Sequence, residues 1–316
     1  MTEKIDTTKQ HHPVLATLAG IIFVSTASLF IRFAQAEASS LVIAAARLTV
    51  ASLVLVPMAL IRNKKRPVHL SWQEWGKGLL AGLFLALHFA SWITSLEYTS
   101  IASSVVLVTT TPLWVALLSP MVLKEKIRQT VWIGLVISVV GGVIVGLANA
   151  CQWDTTGLTC QAQGFTGQAM WGNALALFGA WMAAGYMLMG RQLRKKLDTI
   201  SYTTLVYGTA AGILLGVLII KAEPVFSYNS KTYLWLLALG IIPQLLGHSL
   251  LNWALKYISA AYVSLTLLGE PIGTSILAYI FLRESPTLLE GAGAVLVLVG
   301  IAIGSVRRTA ARASEA

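Results

Sequence analysis

Glu270 is a carboxylate in the middle of an apolar stretch, with Pro271 directly after it. Proline has no backbone N–H and disfavours helix geometry at the residue before it. A carboxylate at such an irregularity suits an ion or substrate site, and it can take up and release a proton. Three more ionisable side chains lie inside apolar stretches: Arg47, His88 and His248. Arginine stays charged and presents a planar fork that matches a carboxylate, so Arg47 could grip an anionic substrate group or pair with Glu270. Histidine can relay protons near neutral pH, although a histidine between helices also serves as a plain hydrogen-bonding partner. Around these four, Trp181 and Tyr186 could stack on a flat or cationic ligand. Asn252 offers an amide, and Thr111 precedes Pro112, where its hydroxyl could serve a broken helix ladder. These eight residues are the candidates for substrate binding and coupling.

Their chemistry is that of binding and proton movement, not of bond making. The sequence holds no GxSxG or HExxH motif, and no GxxxxGK[ST] loop to cradle a phosphate. Nor does it space His, Cys, Asp and Glu as metal ligands. No cofactor or metal is expected, ATP-driven pumping is disfavoured, and an intramembrane enzyme is the weakest of the readings.

The elements that must position these residues follow from composition. The chain is 56% hydrophobic and 11% charged; a soluble domain carries about 25% charged residues. Apolar windows of about 20 residues, each able to cross the hydrocarbon of a bilayer, succeed one another. Ten are expected, at 14–33, 40–61, 75–95, 101–122, 128–149, 166–190, 200–221, 231–255, 259–282 and 287–306. They must be helices, since lipid offers the backbone no partners, and the alternating segments of a β-barrel are absent. The first lacks a small-residue cleavage site and is read as a retained helix.

The net charge of +10 is not a nucleic-acid footprint, because its distribution follows the spans. Seventeen Lys and Arg fall in the two tails and the even-numbered connections, against three in or beside the odd-numbered ones. That asymmetry places both termini in the cytoplasm. The two cysteines, Cys151 and Cys160, share the fifth connection, which the charge rule puts outside. On the oxidising side they could close a small disulfide ring; two free thiols are the alternative.

Residues 96–144 reappear, without a gap, 159 positions later. Leu96 answers Leu255, Tyr98 answers Tyr257, Pro112 answers Pro271, Gly134 answers Gly293 and Gly141 answers Gly300. One offset over two apolar spans and the charged turn between them indicates a duplicated half. Each half then holds five spans, so the second must be inverted relative to the first, the plan of alternating-access transporters with the substrate site at the repeat interface. The expected fold is an all-α integral membrane protein of ten transmembrane helices in two inverted five-helix repeats, residues 14–149 and 166–306. An external loop at 150–165 joins them, and cytoplasmic tails occupy 1–13 and 307–316. By identity, the match of the first three spans of each half is faint.

Gly269–Glu270–Pro271, Ile276–Leu277–Ala278 and Phe281–Leu282–Arg283–Glu284 in the second half, with Thr111–Pro112–Leu113, Lys124–Glu125 and Gly141–Gly142 in the first, resemble the EamA-type branch of the drug/metabolite transporter superfamily. Arg47, in Ala44–Ala45–Ala46–Arg47–Leu48, resembles an arginine that many members carry in the second helix. The resemblance spans residues 14–306. It implies ten helices in two inverted repeats, a bacterial inner-membrane location and export of small metabolites, amino acids or related organic compounds. A secondary active exporter working by alternating access is therefore expected, with a small-molecule substrate, protons as a possible coupling ion, the lipid bilayer around it and no nucleic acid. The alternatives are a passive facilitator, uniporter or exchanger; the assembly is a monomer or homodimer.

Overall fold

A chain this apolar closes its backbone hydrogen bonds within each segment, and the computed structural model is helical apart from one hairpin. It describes residues 8–65, 70–123, 129–147, 151–154, 157–160, 167–257, 260–267, 269–283 and 286–305. The C-terminal tail, the charged turn at 124–128 and half of the 150–165 loop lie outside the described residues. Helices α1 (Thr8–Ser25) and α2 (Ala27–Ala34) run in line, followed by α3 (Ser40–Lys65) and α4 (Trp72–Tyr98). Then come α5 (Ile101–Val108), α6 (Thr111–Leu123) and α7 (Gln129–Leu147). The second half holds α8 (Gln168–Leu193), α9 (Thr199–Lys221) and α10 (Ser230–Leu239), a π-helical stretch at Gly240–His248, and α11 (Ser249–Ala254). It ends with α12 (Ala260–Thr266), α13 (Gly269–Leu282) and α14 (Leu288–Ser305).

Among the described residues, seven segments are long and apolar enough to cross a membrane: Leu15–Ala34, Ser40–Arg62, Trp72–Tyr98, Ile101–Leu123, Gln168–Leu193, Thr199–Lys221 and Ser230–Ala254. Shorter apolar helices occupy Trp132–Val145, Gly269–Leu282 and Leu288–Gly300. Each of the ten expected segments thus holds helix among the described residues. The fold is not strictly all-α. Strands β1 (Cys151–Asp154) and β2 (Gly157–Cys160) pair antiparallel, with Cys151 opposite Cys160. Cys151 is disulfide-bonded.

Two helix breaks and the π-helical stretch fall at prolines. Pro112 removes a donor, and the hydroxyls of Thr109, Thr110 and Thr111 bond the carbonyls of Val106, Leu107 and Val108 at 2.7–3.0 Å, closing α5 and opening α6. Pro271 sits at the corresponding place, where Glu270 begins α13 with its N–H on Leu267 O at 2.9 Å. Pro243 lies inside the π-helical stretch, a geometry that often accompanies functional positions.

Caps set where helices begin. The Asp198 carboxylate accepts from the amides of Ile200 (3.0 Å) and Ser201 (3.2 Å) at the start of α9 and pairs with Arg62 of α3 at 3.3 Å. Burial pushes this carboxyl up, but the Ser201 hydroxyl and amide, the Arg62 charge and the Ile200 amide outweigh it and hold it below the usual carboxylate range. A depressed folded-state pKa contributes stability above the unfolded value, and that contribution is lost as pH falls through the folded one. Asp198→Ala is expected to cost about 1 kcal/mol at neutral pH, read as a lower Tm in detergent. The difference from the parent should shrink on acidification.

Contacts in the first half recur in the second, 159 positions on. The Gln35 amide donates to Ser40 Oγ (2.9 Å) and Ile93 O (2.9 Å). Arg194 donates to Thr199 Oγ1 (2.7 Å) and Asn252 O (3.0 Å), three positions each shifted by that interval. Gly20 abuts Leu251 and Gly247 O, while Gly179 abuts Trp92 and His88 O. Helices α7 and α14 meet backbone to backbone at their glycines. A Cβ on Gly141 would stand 2.7 Å from Gly293 O, one on Gly293 2.7 Å from Gly141 O, and one on Gly300 2.6 Å from Gly134 O. Residues early in one helix thus meet residues late in the other, so the two run antiparallel.

Candidate functional site

The helix breaks and the π-helical stretch converge on one cavity. Helix α4 contributes Leu85, His88 and Trp92, the α5–α6 break Val108, Thr109, Thr111 and Pro112, and α8 Ala183, Tyr186 and Met187. From the other side come His248, Leu251, Asn252 and Leu255, with Val263, Leu267 and Glu270 around the α12–α13 break. Most of this wall is apolar, and its polar groups are few and fixed.

Six of the eight sequence-expected residues meet here: His88, Thr111, Tyr186, His248, Asn252 and Glu270. Glu270 is 9% exposed and lies in the first turn of α13, where the helix dipole favours a negative charge. No hydrogen bond or ion pair engages its carboxylate among the described residues. Its oxygens are not among the sealed, unpartnered polar atoms, so they open on the cavity. His88 donates from Nδ1 to Gly179 O at 2.9 Å and stacks on Trp92 at 5.9 Å. His248 meets the edge of Phe89 at 5.5 Å. Tyr186 donates its hydroxyl to Asn252 Oδ1 at 2.7 Å, and Asn252 Nδ2 donates to Tyr207 Oη at 3.0 Å. That chain fixes which way the Asn252 amide points.

Two expected residues stand elsewhere. Arg47 is fully buried but does not line the cavity and forms no ion pair with Glu270. Its Nε donates to Gln244 Oε1 at 3.0 Å, and its guanidinium lies 3.9 Å from the centroid of Phe89, whose ring also meets His248. The two Nη atoms and Gln244 Nε2 have no partner and are sealed from water. Trp181 is 47% exposed and packs edge-on against Trp114 at 5.0 Å, away from the cavity. Phe89 and Gln244 were not among the expected residues. Gln244 had a signal, an amide beside Pro243 in an otherwise apolar segment; Phe89 had none.

Comparison with known proteins agrees with this architecture. The sequence model of the EamA-like transporter family matches residues 12–147 and 170–306. The uncharacterized transporter YdfC of Bacillus subtilis is 24% identical, over 81% of this chain and 78% of that protein. The pseudopaline exporter CntI of Pseudomonas aeruginosa is 24% identical, over 90% of this chain and 93% of its own length. One solved crystal structure superposes with a TM-score of 0.64 at 18% identity, covering 92% of this chain and 95% of the other; the likeness extends to the fold.

Proposed function

The chain belongs to the EamA-like transporter family and is a multi-pass membrane protein, and from that premise we propose that it is a secondary active exporter of small organic metabolites, amino acids or related compounds, working by alternating access. The observation that carries this reading is the cavity, where Glu270, unpartnered and buried, opens at a helix break between the two halves of the chain. Broken helices whose N-termini meet at such an interface are the usual build of a transport site. The relative named as a pseudopaline exporter favours export over import.

Two inverted five-helix repeats, 14–149 and 166–306, underlie the proposed motion. In support, the family model matches two segments of nearly equal length. Hydrogen bonds at Gln35 recur at Arg194, and the last helices of the two halves cross antiparallel through paired glycines. Repeats that pack head to tail in this way have opposite orientations in the bilayer. The charge asymmetry of the connections supports both tails in the cytoplasm, and a bacterial inner membrane is the proposed location.

Protons are the proposed coupling ion, with Glu270 as carrier. Among the described residues, the titratable groups that share its cavity are His88, His248 and Tyr186, and the Arg47 charge acts on it from outside the lining. The test is transport in proteoliposomes under an imposed pH gradient. Accumulation of substrate beyond equilibration, abolished by a protonophore, is expected. Movement that only ever equilibrates would replace the exporter with a passive facilitator.

A further inference from the structure

We propose that the cavity recognises a cationic amine without a free carboxylate, so that the decarboxylated or amidated form of an amino acid is a better ligand than the amino acid. This rests on the reading of the cavity as the transport site. The argument is an inventory of which polar atoms face the space and which hydrogens are already committed.

The donors are mostly committed. Thr109 and Thr111 give their hydroxyl hydrogens to Val106 O (3.0 Å) and Val108 O (2.8 Å). Tyr186 gives its own to Asn252, and Asn252 gives one to Tyr207. Gly179 O can only accept, so His88 Nδ1 carries the proton, and the neutral ring leaves a lone pair on Nε2. The Trp92 indole N–H, both Arg47 Nη atoms and Gln244 Nε2 have no partner, yet all are sealed off from the space. Among the described lining residues, what remains to donate is one ring N–H of His248 and the second amide hydrogen of Asn252.

The acceptors are mostly open. Among the described residues, both Glu270 oxygens and the Nε2 lone pair of His88 are unengaged, and the two threonine hydroxyls keep lone pairs to spare. An ammonium group, with up to three N–H donors and a positive charge, matches this set. Among the described lining residues a carboxylate finds no cation, the Arg47 charge reaching the site only from outside the lining; it meets Glu270 as a like charge and loses water without replacement. Leu85, Val108, Leu251 and Val263 supply an apolar wall for the body of the ligand, and Trp92 offers a ring to a cation.

A matched series tests the inference: phenethylamine, phenylalaninamide and phenylalanine, titrated into the purified full-length protein in detergent, with calorimetry and thermal stabilisation as readouts. The amine and the amide are expected to bind at least about tenfold more tightly than the amino acid. Glu270→Gln should remove that preference and Glu270→Asp retain part of it. Phenylalanine binding as tightly as the other two, no binding by any of them, or an unchanged preference in Glu270→Gln would each overturn the proposal. Counterflow in proteoliposomes separates it from the exporter reading. If phenylalanine moves uphill while phenethylamine neither binds nor moves, the exporter stands and the ligand class falls. If phenethylamine binds with the expected preference but nothing accumulates, the ligand class stands and the exporter falls.

Discussion

Glu270→Gln is expected to abolish gradient-driven accumulation while leaving a folded protein. Free energy sets the size of the effect. Each 1.36 kcal/mol corresponds to a tenfold ratio, so a gradient of about two pH units can sustain on the order of 100-fold accumulation when one substrate exchanges for one proton. Without a titrating carboxyl that ratio should fall to about unity, and the residual flux should lose its dependence on the pH difference. The variant is a clean probe because the Glu270 carboxylate is engaged by no partner among the described residues, so the amide strands no buried donor. His88→Gln breaks the bond to Gly179 O and His248→Gln alters a ring contact to Phe89; both should lower the rate without uncoupling it. Accumulation by Glu270→Gln that still tracks the pH gradient would remove the carboxylate from the coupling mechanism.

The duplication was legible in sequence only where packing demands the same residue in both halves. Gly141 and Gly300 are each pressed against backbone, where no side chain fits, so the identity survives. In the first spans of each half the shared feature is a hydrogen-bond geometry. Gln35 and Arg194 differ in charge and length, yet both carry N–H donors to a hydroxyl and a carbonyl at matching places. Glu37 bonds Asn229 and Thr232 at the start of α10, while Lys196 pairs with Glu74 at the start of α4. These stand at repeat-related positions with opposite charges. Identity scoring sees mismatches where the structure has the same tie made by different chemistry.

The site was legible through scarcity: ionisable and amide groups inside apolar helices are costly, and five of the six that line the cavity were found on that ground or by their ring chemistry. Thr111 came from the neighbouring proline. Facing direction was the part sequence did not fix. Trp181 and Tyr186 lie five residues apart, which puts them about 140° apart around a helix. Both cannot look into one cavity, and only Tyr186 does. Arg47 is on α3, a helix that contributes nothing to the lining, and its charge is met by Gln244 and the face of Phe89. Burial alone did not tell a gripping arginine from an enclosed one.

The same limit applies to the glycines, and it yields the second large effect. Spacing singles out Gly142 with Gly146 as a close-packing face, but a Cβ on Gly142 would meet only Leu107 Cδ2 at 3.6 Å, an ordinary contact. One residue earlier, a Cβ on Gly141 would stand 2.7 Å from both Gly293 O and Val297 N, which are backbone and cannot rotate away. Gly141→Ala must therefore push α7 and α14 apart, at a cost of about 1–3 kcal/mol or more. Gly142→Ala should be neutral, or stabilising by up to about 1 kcal/mol through helix propensity. Because the pairing is reciprocal, Gly293→Ala should be as harmful as Gly141→Ala. Packing is what associates helices in lipid, so both should lower Tm and folded yield in detergent, with transport per folded molecule falling as the two halves lose their shared seam. Equal tolerance of alanine at 141 and 142 would mean that these helices do not touch backbone to backbone. The antiparallel crossing would then lose its physical basis, and with it the strongest support for two halves of opposite orientation.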